Sequence, residues 1–129
     1  MVFWITIVLA LIAVQILLPL ILDSKGTMGA RLTNARGPRD HCPEESVVAQ
    51  RSRRGLANLL ETLPIFLTLA LLAIILHKDV ANAILGAQIY VIARVIYVPA
   101  YLSGVPVVRT LIWGASAVGL VIMARAILG

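Results

Sequence analysis

Apolar positions along the chain fall into four long blocks, Val2 to Leu22, Leu56 to Leu76, Val80 to Tyr101 and Val105 to Leu128. Each is long enough for a helix to cross a hydrocarbon core of about 30 Å, which takes roughly 20 residues. The pattern therefore predicts an all-α membrane protein, a four-helix transmembrane bundle in one domain over residues 1–129. Residues 23–55 form the one long connection, hydrophilic and broken at Gly37-Pro38. The other two connections are tight turns, at His77-Lys78-Asp79 and at Ser103-Gly104 with Pro106 close behind. The first block lacks a basic leader and a small-residue cleavage motif, and reads as a retained span. Pro19 and Pro64 each remove a helical hydrogen bond and are expected to bend their helices.

The polar residues that interrupt these blocks carry the functional signal. Arg54, Asn58 and Glu61 are spaced i, i+4, i+7 and share one helix face. An ionisable group at mid-bilayer is disfavoured by roughly 2.5 kcal/mol or more, so such groups face protein or water and are candidates for function. Interfacial anchoring accounts for Arg51 and Arg53, but not for Glu61, about a turn and a half inside the span. In the third block Tyr90, Arg94, Tyr97 and Tyr101 are spaced 4, 3 and 4, which makes a single stripe. Arg109 stands one turn into the fourth helix, whereas Arg125, near the far end, reads as a snorkelling anchor. Four helices have little interior in which to hide this set, so some of these faces are expected to meet another subunit.

Charge orients the chain. Of 11 lysines and arginines, seven (Lys25, Arg31, Arg36, Arg39, Arg51, Arg53, Arg54) lie in the first connection or at its junction with the second helix. The positive-inside rule then places that connection in the cytoplasm and both termini on the opposite side. Arg54, Asn58, Glu61, Arg94, Tyr97, Tyr101 and Arg109 thereby gather in the cytoplasmic third of the membrane. With 60% apolar and 13% charged residues, a net charge of +5 reflects this placement and gives no reason to expect nucleic-acid binding. A lone cysteine, Cys42, excludes an intrachain disulfide and a multi-cysteine metal site. His41 and His77 sit in separate connections, so no metal is expected.

Several cations, one carboxylate, an amide and phenols suit an anionic ligand that carries one ammonium group. Glutathione fits: two carboxylates for arginines, an ammonium for Glu61, amides for Asn58 and the tyrosines, and a thiol whose pKa a nearby arginine can lower. The residues permit this ligand without singling it out.

Arg54-x-x-x-Asn58-x-x-Glu61 followed by Pro64 and Phe66, and Arg94-x-x-Tyr97-x-x-x-Tyr101 followed by Arg109 after a short turn, resemble the MAPEG family. These are membrane-associated proteins in eicosanoid and glutathione metabolism, and the chain looks like a prokaryotic-type member of the bacterial inner membrane. The resemblance, which spans nearly the whole chain, implies a homotrimer binding glutathione between subunits near the cytoplasmic side. It implies an enzyme of the glutathione transferase or peroxidase type, acting on lipophilic substrates that partition into the bilayer. By position Arg54, Asn58 and Glu61 resemble the residues that hold the tripeptide. Arg94, Tyr97 and Tyr101 resemble those lining its site, and Arg109 the catalytic arginine that stabilises the thiolate. Ala57 stands where some members have another arginine, and Arg31, Arg36 and Arg39 are candidates for the arginine that members contribute from the end of helix 1. Two other readings compete: a small four-helix transporter with an intramembrane carboxylate, and a non-catalytic scaffold of the same shape. The transporter class would favour a carboxylate in the first helix, where this chain has only Thr6 and Gln15 as polar groups.

Overall fold

A computed structural model describes residues 1–22, 46–78 and 80–129. Its helices are α1 (Val2–Leu22), α2 (Val47–Ile75), α3 (Ala81–Ser103) and α4 (Pro106–Leu128). All four are long and apolar enough to cross a membrane, and together they make an integral, multi-pass membrane protein.

Local chemistry sets the ends. α2 starts at Val47 rather than near Leu56, so residues 47–55, expected in the connection, are helical. The reason is Ser46: its backbone is extended and its Oγ accepts the Ala49 N–H at 3.2 Å, satisfying a donor that the helix itself leaves free. Hydropathy marks where a helix enters lipid, whereas the cap marks where it begins. The Ser46 hydroxyl also donates to the Leu22 carbonyl at 3.4 Å, which ties the start of α2 to the end of α1. At the other membrane face Lys78 Nζ donates to the Ile127 carbonyl at 2.7 Å, so the α2–α3 turn caps the last turn of α4. α3 ends at Gly104, whose φ of +80° is left-handed, and Pro106 opens α4. Besides the expected Pro19 and Pro64, Pro99 lies inside α3.

Lipid tails are as apolar as leucine, so membrane helices associate by close packing rather than by a hydrophobic drive. α3 and α4 show this most clearly at Gly86 and Gly119. A Cβ on Gly86 would lie 2.6 Å from the Gly119 carbonyl oxygen, and one on Gly119 would lie 2.7 Å from that of Gly86. The main core joins Val8 of α1, Phe66 and Ala70 of α2, Ala87, Tyr90 and Val91 of α3, and Leu120 and Met123 of α4. Phe66 and Tyr90 stack at its centre, 4.5 Å between centroids and 10° from parallel. A smaller cluster of Ala73, Ala83 and Ile127 closes the far end. The polar groups of α2 and α3 begin directly on the other side of Tyr90.

Candidate functional site

Arg94 organises the polar end of the bundle. It is 1% exposed, yet its hydrogen-bond partners among the described residues are neutral. Nη1 donates to Asn58 Oδ1 at 2.7 Å and Nη2 to Thr62 Oγ1 at 2.9 Å. The guanidinium lies 5.5 Å from the Tyr90 ring centre and 5.4 Å from that of Tyr97, within cation–π range of both. Thr62 passes the network on: its hydroxyl lies 3.2 Å from the Leu59 carbonyl and 2.9 Å from the Tyr90 hydroxyl.

This arrangement gives the Asn58 amide a direction. Arginine carries donors only, so the Asn58 atom facing it is the carbonyl oxygen. The Asn58 Nδ2 is then left to donate elsewhere, to an acceptor on a ligand. Asn58 is half-buried, at the boundary between this network and the outer surface of α2.

A second cluster sits nearer the membrane surface. Tyr97 and Tyr101 pack at 5.5 Å between centroids, tilted by 48°, and the Arg109 guanidinium lies 4.8 Å over the Tyr101 ring. The Ser103-Gly104 turn returns the chain so that Arg109, one turn into α4, comes back onto Tyr101. Tyr101 in turn lies over Gly55, where an added Cβ would be 3.7 Å from its ring. Arg51 closes this end. Its Nη1 donates to the Leu102 carbonyl at 3.1 Å, and its guanidinium occupies the space beside Gly104, 2.6 Å from where a Cβ would stand. Gly104 is therefore required for its backbone angle, whereas a Cβ there would displace only the flexible end of Arg51.

Three of the seven residues singled out from the sequence, Asn58, Arg94 and Tyr97, share one packed unit, and Tyr97 links it to Tyr101 and Arg109. Arg54 is not part of it, and Glu61 joins it only electrostatically, its carboxylate acting on Arg94 and Tyr97. Both are exposed on the outside of α2, and no ion pair joins them among the described residues. Sequence reasoning passed over Thr62, which binds Arg94 and Tyr90 together. Its signal was a hydroxyl four residues beyond Asn58, on the same helix face, inside an apolar span. Arg51, expected to be an interfacial anchor, instead caps α3. Arg31, Arg36, Arg39, His41 and Cys42 lie outside the described residues.

The sequence profile of the MAPEG family matches residues 1–129, the whole chain. No curated protein matches the chain, and no solved structure does.

Proposed function

Since the chain belongs to the MAPEG family along its whole length, and that family acts in glutathione and eicosanoid metabolism, we propose that it is a glutathione-dependent enzyme of the transferase or peroxidase type. Its second substrates are lipophilic electrophiles or hydroperoxides dissolved in the bilayer. The observation that carries this reading is the pair of arginines in one polar end: Arg94, buried, which orients Asn58, and Arg109, partly exposed over Tyr101.

Bound glutathione supplies a thiol that is nucleophilic when deprotonated. The chain's donor set suits the rest of the tripeptide. Asn58 offers an amide N–H fixed by Arg94, Arg54 offers a planar two-donor fork for a carboxylate, and Glu61 offers an acceptor for an ammonium. Tyr97 and Tyr101 wall the space between α2 and α4, and Arg109 brings a positive charge to the end of that wall. A guanidinium there favours an anionic sulfur and disfavours the neutral thiol, which is the sense needed to activate it at neutral pH.

Arg54 and Glu61 are exposed on one subunit, and Glu61 acts electrostatically on Arg94 and Tyr97, so the set is open on its outer side. A homotrimer supplies the missing wall, with the site between neighbouring subunits. The arginine excess favours the cytoplasmic side for that site, with both termini opposite; the membrane of this reading is a bacterial inner membrane. A transporter working through a membrane carboxylate would hold it inside the bundle, whereas Glu61 lies outside.

The test is ultraviolet thiolate absorbance on adding glutathione to the purified protein. A thiolate signal at neutral pH that saturates with glutathione, together with turnover of a lipophilic electrophile or hydroperoxide, is the expected result. Glutathione that neither binds nor ionises on the protein would overturn the reading.

A further inference from the structure

We propose that α1 is joined to α2 by an ordered water bound between Gln15 and Ser52, directly behind the wall formed by Tyr97 and Tyr101. This site stands independently of the glutathione reading.

A small cleft of about 10 Å³ lies between α1, α2 and α3, lined among others by Gln15, Leu18, Ser52, Gly55, Tyr97 and Tyr101. That is room for about one water molecule. Two of its lining side chains are strongly buried and unpartnered. Gln15 is 3% exposed and Ser52 is 5% exposed, and neither Gln15 Oε1 nor Ser52 Oγ has a hydrogen-bond partner. A buried polar group left unpaired is disfavoured by about 1–3 kcal/mol, so two on one cleft are hard to sustain without a shared partner.

The backbone of Gln15 carries a further acceptor. In an unbroken helix the carbonyl of Gln15 receives the N–H of residue 19, but residue 19 is Pro19, which has none. Carbonyls freed by proline inside membranes are typically satisfied by neighbouring helices, hydroxyl side chains or ordered water. Gln15 and Pro19 are i and i+4, both buried, and so lie on the same face of α1.

One water meets all of these demands. It donates one hydrogen to Gln15 Oε1 and the other to the Gln15 carbonyl, and it accepts the Ser52 hydroxyl proton. Three bonds is the usual number for a buried water. An acyl chain in the cleft would leave every one of these groups unsatisfied. Gln15, one of two polar side chains in an otherwise apolar α1, thus acquires a reason to face inward. The water fixes the proline break of α1 against the α2 turn that carries Arg51 and Gly55, and so holds the back of the tyrosine wall.

The experiment is a high-resolution structure of the parent protein in lipid nanodiscs, combined with unfolding midpoints for Gln15→Leu, Ser52→Ala and the double variant. Isolated density within hydrogen-bond distance of both Gln15 Oε1 and Ser52 Oγ is expected. Each single variant should lower the midpoint by a few degrees, and the double variant by little more than the worse single, because either change releases the same water. Strictly additive losses would overturn the proposal. So would a parent cleft that is empty or filled by a lipid tail, a result that holds even if the variants fail to fold.

Discussion

Arg94 is a full charge, buried, and its two hydrogen bonds to neutral partners bridge adjacent turns of α2 at once. A planar fork can reach Asn58 and Thr62 together, whereas a lysine ammonium is a point charge on a flexible stem. Arg94→Lys should therefore destabilise the protein by about 1.5–3 kcal/mol, the loss of a charged hydrogen bond, read from denaturant unfolding in detergent. An unchanged midpoint would mean that the Asn58 and Thr62 contacts contribute nothing. Arg109 is the opposite case: it is partly exposed and bound to a ring face, so the fold does not depend on it. Arg109→Ala should leave assembly and glutathione affinity largely intact, raise the pKa of the bound thiol and cut turnover. Arg109→Lys should recover part of both, since the charge is kept. An unaltered absorbance titration with full turnover would remove Arg109 from the chemistry. Glu61 is exposed on one subunit, so Glu61→Gln should weaken glutathione binding while a single chain folds as before. Equal affinity in calorimetry would remove it from the site.

At the scale of elements, the α3–α4 hairpin depends on two glycines in backbone contact. Gly86→Ala would push a methyl to within 2.6 Å of the Gly119 carbonyl, and backbone cannot yield as a flexible side chain does. Overpacking of this kind destabilises by about 1–3 kcal/mol, and the unfolding midpoint should fall accordingly. Gly114 is the internal control. It also lies inside α4, but an added Cβ there meets nothing within 4 Å, so Gly114→Ala should be neutral or slightly stabilising through helix propensity. If both substitutions behaved alike, close approach would not be what holds the hairpin. The same hairpin carries Arg94, Tyr97 and Tyr101 on one arm and Arg109 on the other, so its register decides whether Arg109 reaches Tyr101.

At the scale of the whole molecule, the unsatisfied feature is the outer face of α2. Arg54 and Glu61 lie exposed within or beside a membrane-spanning helix, where lipid offers them nothing. The proposed threefold assembly would give that face a protein neighbour. The mass of the detergent-solubilised protein should correspond to a trimer, and monomer or dimer at every concentration would contradict the proposed site between subunits. Cys42 is remote from this face in sequence, in the hydrophilic connection, and the thiol of the proposed reaction comes from glutathione. Cys42→Ser should therefore retain turnover, and a folded but inactive variant would point to a protein nucleophile instead.

Hydropathy and helical spacing alone were enough for the four spans, because a bilayer imposes length and apolarity on every crossing segment. They were also enough to show that Arg54, Asn58 and Glu61 share a face, as do Tyr90, Arg94, Tyr97 and Tyr101, since both are properties of a single helix. The start of α2 at Val47 was missed because capping by Ser46 is a local hydrogen bond that hydropathy does not register. What belongs to pairs of helices lay beyond the sequence. Only tertiary packing decided that Arg94 turns inward to Asn58 and Thr62 while Glu61 turns outward, though both residues interrupt apolar helices. It alone decided that Arg51 caps α3, and that Gln15 and Ser52 face one cleft. The physical reason is that helical periodicity assigns each residue an angle about its own axis, whereas a partner depends on where the neighbouring axis lies. In this bundle the contact between Gly86 and Gly119 draws α4 against α3, the same pair of helices across which Arg109 meets Tyr101.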